Sequence, residues 1–409
     1  MKILLYSISY SPEVAGSGRF NGELTEWLAE HNHKVDVITA HPYYPEWRVH
    51  PQYRKKMWLK ESRGRLTVYR TPLHVPSTVN GKTRIIHELS FVIGSLFHWA
   101  RLCFTKYDVV IAVCPPFHVG FLPFLYSKIR GSSFIFHVQD LQVDAARSLG
   151  LIKSKKFLNI LDLSEKFLLR KADKVSSISE GMKRNILSKG VSNENYFMLE
   201  NWVDTNTFKP MTFNESLRSE LSFLNTDKIA LYSGNIGEKQ GLEVLIDTAF
   251  KLRKYSNIKI VVSGEGVARE RLQNSATQRG LNNLFFFPLR SFEELPRLLA
   301  MADIHLVIQK RATSDLVMPS KLTAILAMGG ASIISADKGT SLSDTITEYK
   351  LGWVVEPEEA TMLADAIISA FNSSELSTIR ENARTYAENF LNKSAILSRY
   401  ERMLQSMAK

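Results

Sequence analysis

The first forty residues run strand, glycine-bearing loop, helix, strand, and that order admits few folds. Residues 2–8 (KILLYSI) are short and apolar, and residues 9–18 form the loop SYSPEVAGSG. Residues 19–31 place Phe20, Leu24, Trp27 and Leu28 at helical spacing, and residues 34–39 alternate and are rich in β-branched side chains. Two strands joined by a helix make a βαβ unit, which belongs to a parallel sheet covered by helices.

The alternation continues along the chain. Strand-like apolar runs fall at 109–113, 134–138 and 175–178. After residue 203 the pattern restarts, with runs at 229–233, 258–263, 284–288, 304–308 and 331–335. Helical stretches lie between them at 241–255, 266–279, 292–301, 320–328 and 360–372. Two doubly wound α/β domains are expected, which suits a chain of 409 residues. Residues 200–214 (ENWVDTNTFKPMTFN) are polar and read as the linker. The run 85–104 (IIHELSFVIGSLFHWARLCF) is long and apolar but carries His87, Glu88, His98 and Arg101. It reads as a buried or interfacial helix and not as a membrane span.

Lys and Arg number 52 against 41 Asp and Glu, and the excess is confined to one half. Residues 1–200 hold 28 basic and 17 acidic side chains, whereas residues 201–409 hold 24 of each. A basic half points to nucleic acid, an anionic membrane or a phosphorylated substrate. Two cysteines, Cys103 and Cys114, exclude a disulfide framework and a cysteine zinc site. The N-terminus shows no signal-peptide pattern, so a reducing cytoplasmic location is the expectation.

Anion chemistry has several candidate turns at strand ends, where helix N-termini point N–H groups outward. Gly16-Ser17-Gly18 precedes the first helix, although no G-x-G-x-x-G fingerprint is present. Ser233-Gly234-Asn235-Ile236-Gly237-Glu238-Lys239-Gln240-Gly241 follows a strand and sets Lys239 ahead of a helix, without the Gly-Lys-Ser/Thr of a Walker A loop. Ser263-Gly264-Glu265-Gly266 closes the next strand, and Met318-Pro319-Ser320-Lys321 opens a helix. Each alone is also an ordinary loop or helix start. Their succession along one sheet favours a binding site.

These stretches resemble a known family. ISYSPEVAGSGRFNGELTEWLAEHNHKVDVITA, LENWVDTNTFKP, LYSGNIGEKQGLEVLIDTAFKL, VVSGEGVARERL, LPRLLAMADIHLVI and LVMPSKLTAILAMGG, in that order, resemble the retaining glycosyltransferases of family 4. The VQDL and PSKL forms resemble the exopolysaccharide and colanic-acid branch, whose fucosyltransferase-like members imply GDP-fucose as donor. The resemblance implies a GT-B fold, α/β with two facing Rossmann-like domains and a cleft between them. It also implies that the last helix returns to the first domain, giving residues 1–203 plus 391–409 for the acceptor and 204–390 for the nucleotide-sugar.

By position, Lys239 matches the lysine that contacts the donor diphosphate. Gly16, Ser17 and Gly18 match the loop approaching the donor phosphate or acceptor. Gly234, Asn235, Gly264, Glu265, Arg290, Asp315, Ser320 and Lys321 complete the implied donor set. Asn235 stands where many members have an arginine. Asp140 and His137 bracket the family's active-site histidine, and His137 also reads as a buried strand-end residue. The family's pair of glutamates is missing. Its second member falls at Ala324, and only Asp315 could supply a carboxylate near the first. No Asp-x-Asp cluster occurs, so no metal and no cofactor are expected.

The implied partners are a nucleotide-sugar, a lipid-linked glycan acceptor and an anionic membrane surface, with the protein peripheral on the inner face of the cytoplasmic membrane. Residues 43–65 fit that surface, holding seven Lys/Arg with Tyr43, Tyr44, Trp47, Tyr53 and Trp58 interleaved. Residues 153–171 repeat the theme on an amphipathic helix. Two other classes compete. A nucleotide-sugar epimerase on the same fold would need acid and base carboxylates. A nucleic-acid-binding protein would use the basic half but leave the turn lysines unexplained.

Overall fold

The computed structural model describes residues 1–13, 16–148, 152, 154–238, 240–311 and 319–408. The chain forms two units, residues 1–200 with 395–409 and residues 201–394.

In the first unit the buried apolar runs become the strands of one sheet. They are β1 (Lys2–Tyr6), β2 (Lys34–Ala40), β3 (Leu59–Arg63), β4 (Leu66–Thr71), β5 (Val109–Cys114), β6 (Ser133–Val138), β7 (Lys174–Ser177) and β8 (Tyr196–Met198). The order is β3-β4-β2-β1-β5-β6-β7-β8, parallel apart from the antiparallel β3–β4 pair. Helices α1 (Ser17–Glu30), α2 (Gly81–Leu102), α3 (Phe121–Arg130), α4 (Gln142–Ser148), α5 (Lys155–Lys171) and α6 (Glu180–Ser188) make the crossovers. Chain order reverses between β1 and β5, the place where doubly wound sheets bind ligands.

The second unit repeats the scheme with β9 (Lys228–Ser233), β10 (Ile258–Ser263), β11 (Leu284–Phe287), β12 (Ile304–Val307), β13 (Ser332–Ser335) and β14 (Gly352–Val355) in the order β11-β10-β9-β12-β13-β14. All its strand pairs are parallel. Around it lie α7 (Glu243–Leu252), α8 (Arg269–Gln278), α9 (Leu295–Ala300), α10 (Lys321–Ala327), α11 (Ser341–Glu348), α12 (Ala360–Phe371) and α13 (Leu376–Phe390). The residues read as a linker hold a bridge inside this unit, where Val203 pairs with Asn392.

The last helix, α14 (Lys393–Met407), buries Ile396, Leu397, Tyr400 and Leu404. Its Glu401 meets the His33 ring at 2.8 Å and accepts from the Trp27 indole at 3.2 Å, and its Met407 carbonyl accepts from Ser133 Oγ at 2.8 Å. All these partners belong to the first unit. No helix among the described residues is long and apolar enough to cross a membrane.

Leu397 has no exposed surface. Leu397→Ala is expected to destabilise the first unit by about 2–5 kcal/mol, the cost of a buried leucine cavity. Urea unfolding followed through that unit's tryptophans tests this, and a loss below about 1 kcal/mol would mean that α14 is not part of the core.

Candidate active site

The exits of β9, β10 and β11 stay hydrogen-bonded beyond the strands. The Gly234 N–H donates to the Ser263 carbonyl at 2.9 Å, Ile236 to Glu265 at 2.8 Å and Gly264 to Phe287 at 3.1 Å. Only glycine permits this approach. A Cβ on Gly264 would lie 1.8 Å from the Gly234 carbonyl oxygen, and one on Gly266 would lie 2.3 Å from that of Ile236. Gly234, Asn235, Gly264 and Glu265 are thereby brought together. The Asn235 carbonyl accepts from the Tyr232 hydroxyl at 2.6 Å, and the Glu265 side chain pairs outward with Arg269.

Lys321 reaches this cradle from the first turn of α10. Its Nζ lies 3.7 Å from where a Gly234 Cβ would stand and 3.6 Å from the centre of the Tyr232 ring. That ammonium nitrogen is sealed from solvent and has no hydrogen-bond partner among the described residues. The ring face offsets part of the lost hydration. Burial still pushes the Lys321 pKa down to about 7.

The rest of the expected donor set is dispersed. Ser320 has helical backbone angles, and its side chain caps nothing. Arg290 follows β11, meets Glu294 at 3.5 Å and keeps a buried Nε without a hydrogen-bond partner among the described residues. Ala324 is buried in the apolar core. Lys239 and Asp315 lie outside the described residues.

In the first unit, Gly16 caps α1 at a φ of +65°, which favours glycine, and Ser17 and Gly18 begin the helix. A Cβ on Gly18 would stand 3.0 Å from the Cβ of Glu13. Sequence reasoning passed over Glu13, although it sits in the same loop. Its buried carboxylate accepts from the N–H groups of Tyr43 at 2.9 Å and Tyr44 at 3.0 Å, tying the loop after β1 to the loop after β2. The other oxygen has no hydrogen-bond partner among the described residues, and burial raises the carboxyl pKa.

His137 is buried on β6 with both nitrogens engaged. Nδ1 meets Ser176 Oγ at 2.9 Å, and Nε2 meets the Gln139 amide nitrogen at 2.8 Å. Burial lowers its pKa to about 4, so it is neutral and serves to orient Gln139. Asp140 follows, half-buried at the strand exit, with its carbonyl 3.5 Å from the Cys114 thiol.

Two doubly wound units with glycine-lined strand exits define a class, and comparison with known proteins identifies it. Residues 15–202 match the glycosyl transferase 4-like domain, and residues 213–390 match the glycosyl transferases group 1. WcaI of Escherichia coli, named as a colanic acid biosynthesis glycosyl transferase, is 40% identical over 406 residues, with 98% of each chain covered. The chain belongs to this glycosyltransferase family.

Solved structures agree on the fold. Sucrose-phosphate synthase from Thermosynechococcus elongatus has a TM-score of 0.79 at 17% identity, covering 99% of this chain and 98% of that one. Anabaena HepE in complex with UDP and glucose gives 0.73 at 16% identity, covering 99% and 100%. The chain has the two Rossmann-like domains of GT-B proteins.

Lys321 makes stability depend on pH. Between about pH 7 and the ordinary lysine value of 10.5, the unfolded chain holds a proton that the folded protein lacks. Stability therefore rises with pH across that window, and the penalty is complete below it. Lys321→Met is expected to gain most over the wild type below pH 7, with the gap closing toward pH 10. Urea unfolding between about pH 6.5 and 9.5 measures it, and a gap that does not change with pH would mean a hydrated ammonium.

Proposed function

We propose that the chain transfers a sugar from a nucleotide-sugar to a lipid-linked glycan, with retention of configuration, during surface polysaccharide assembly. The observation that carries this reading is Lys321, an enclosed amine with no hydrogen-bond partner among the described residues, beside a cradle that only glycines can form. A departing nucleoside diphosphate is a compact dianion, and a desolvated ammonium stabilises it far better than one in water. Lys239 adds a second cation by the family resemblance. The leaving phosphate can draw the acceptor proton as the hydroxyl attacks from the same face, so the reaction needs no protein nucleophile and no metal ion.

The colanic-acid role named for WcaI supports a place in polysaccharide assembly. The UDP and glucose in the HepE structure support nucleotide-sugar chemistry for the fold. GDP-fucose is the first donor to test, on the sequence resemblance alone. A lipid-linked acceptor calls for a protein peripheral to the inner face of the cytoplasmic membrane, and the basic first half suits that location.

A thermal-shift screen across UDP-, GDP-, ADP- and CMP-sugars tests the reading. A bound donor at 100 times its Kd is expected to stabilise by about 2.7 kcal/mol. No shift with any of them, and no transfer to lipid-linked glycan, would overturn it. Lys239→Ala is expected to lower transfer by about 10²–10³, and Lys321→Ala to lower it less. The reverse order would make Lys321 the main diphosphate contact.

Asp140→Asn is expected to lower turnover more than donor affinity, because the resemblance sets it near the reacting sugar. His137→Gln serves as the comparison, and steady-state kinetics with donor titration separates the two effects. Loss of activity in the His137 variant alone would move the reacting centre away from Asp140.

A further inference from the structure

Helix α2 is apolar on both sides. Its inward side packs Phe91, Trp99 and Leu102 and also carries His87, Glu88, Ser95 and His98, each of which makes at least one hydrogen bond inside the unit. His87 meets the His74 carbonyl at 2.6 Å, Ser95 the Tyr6 hydroxyl at 2.7 Å and His98 the Arg70 carbonyl at 3.0 Å. Its outward side presents Leu89, Ile93, Leu96 and Phe97, one turn apart, with Ile93 67% exposed. A helix that keeps large apolar side chains on its outward side as well as its inward one is not built to face water alone.

The apolar surface continues onto two neighbouring helices. The crossovers β4 to β5, β5 to β6 and β6 to β7 all run the same way across the sheet, so right-handed connection puts α2, α3 and α5 on one face. Trp99 meets Tyr126 at 5.5 Å, joining α2 to α3, and Phe124 meets Phe167 at 5.4 Å, joining α3 to α5. Outward stripes follow at Leu125 and Ile129 on α3 and at Ile160 and Leu163 on α5, with Ile129 72% exposed. By contrast α1 and α14, linked through Trp27 and Glu401, expose no large apolar side chain among the described residues.

Charge identifies the partner. Helices α2, α3 and α5 carry ten Lys/Arg against Glu88, Asp162 and Glu165. Glu88 and Glu165 are buried, and Asp162 is paired with Arg147 and Lys166. One layer thus holds a net +7 of the +11 on residues 1–200. Two such faces repel each other, so a second copy of the chain is disfavoured. We propose that this three-helix face docks onto an anionic lipid bilayer, its apolar stripes entering the interface and its cations meeting headgroups.

This rests on the membrane-peripheral reading above and relocates its contact surface. In the segment 43–65, Tyr43 is buried, Trp47 packs against Tyr43 and His87, and Tyr53 packs against Arg70. Only Trp58 joins the face, 4.7 Å from Phe97.

The test is co-sedimentation of the full chain with phosphatidylglycerol/phosphatidylcholine vesicles and with pure phosphatidylcholine. The wild type is expected to prefer the anionic vesicles and to keep a salt-resistant bound fraction. Ile93→Asp with Leu163→Asp, both at exposed positions, is expected to lower partition at least tenfold and abolish that fraction. Replacing Arg101, Lys128, Lys155 and Lys156 by Gln is expected to remove the anionic preference. Replacing Arg54, Lys55, Lys56 and Lys60 by Gln is expected to do less. Circular dichroism and the nucleotide-sugar thermal shift, run on every variant, separate misfolding and a failed donor reading from a failed surface. No binding by the wild type, or unchanged partition in both face variants, overturns the proposal. So does a fall in self-association by light scattering with partition unaltered, which would make the face a subunit interface.

Discussion

The hydrogen bonds that hold β9 to β10 past the ends of both strands set the conditions for the second unit's site. They draw the two exit loops so close that neither Gly264 nor Gly266 could carry a side chain. The same closeness encloses Lys321, whose stem lies against Gly234 and whose nitrogen sits over Tyr232. Tyr232 is in turn fixed by the Asn235 carbonyl. A lysine enclosed in this way has given up water for a ring face, a poor exchange for a full charge. Among the described residues nothing else offsets that charge, so an arriving anion would favour the protonated amine, which needs little further desolvation to meet it.

In the first unit several buried polar groups are tied to neighbours. His137 has partners on both nitrogens, and Glu13 accepts two backbone N–H bonds that fasten neighbouring loops. Lys189, buried between Asp144 and Glu165, closes an ion triad linking α4, α5 and the end of α6. These groups stiffen the sheet's exits. Removing one partner from such a set is strongly destabilising, because it leaves a charge or donor unmatched in low dielectric.

Much of the fold was legible because strand and helix periods differ, and both sheets consist of short apolar runs between amphipathic helices. What escaped notice has physical reasons. Strand β3 is an edge strand with mostly polar, exposed side chains, so LKESR read as part of the basic, aromatic-bearing segment 43–65. The stretch SLSDTITE forms α11 although Ser, Thr and Asp favour caps and turns. The glycine turns were visible as motifs. The hydrogen bonds of His137 were not, since Ser176 comes from the next strand of the sheet. Nor could the sequence say which side of α2 faces inward, because both sides are rich in large apolar residues and the histidines gave no direction.

The path of the chain has a consequence for how the protein is made. The first unit needs Ile396, Leu397, Tyr400 and Leu404 to finish its core, and a ribosome supplies them only after the whole of the second unit. The second unit is continuous in sequence, and its two ends are tied where the Val203 N–H donates to the Leu391 carbonyl at 2.9 Å and the Lys393 N–H donates to the Val203 carbonyl at 3.0 Å. It can therefore fold to completion while the first unit still waits for its final helix. The unit translated earlier of the two finishes folding second, with the ground under α14 open throughout that interval. A chaperone acting on the nascent chain would find its binding surface there.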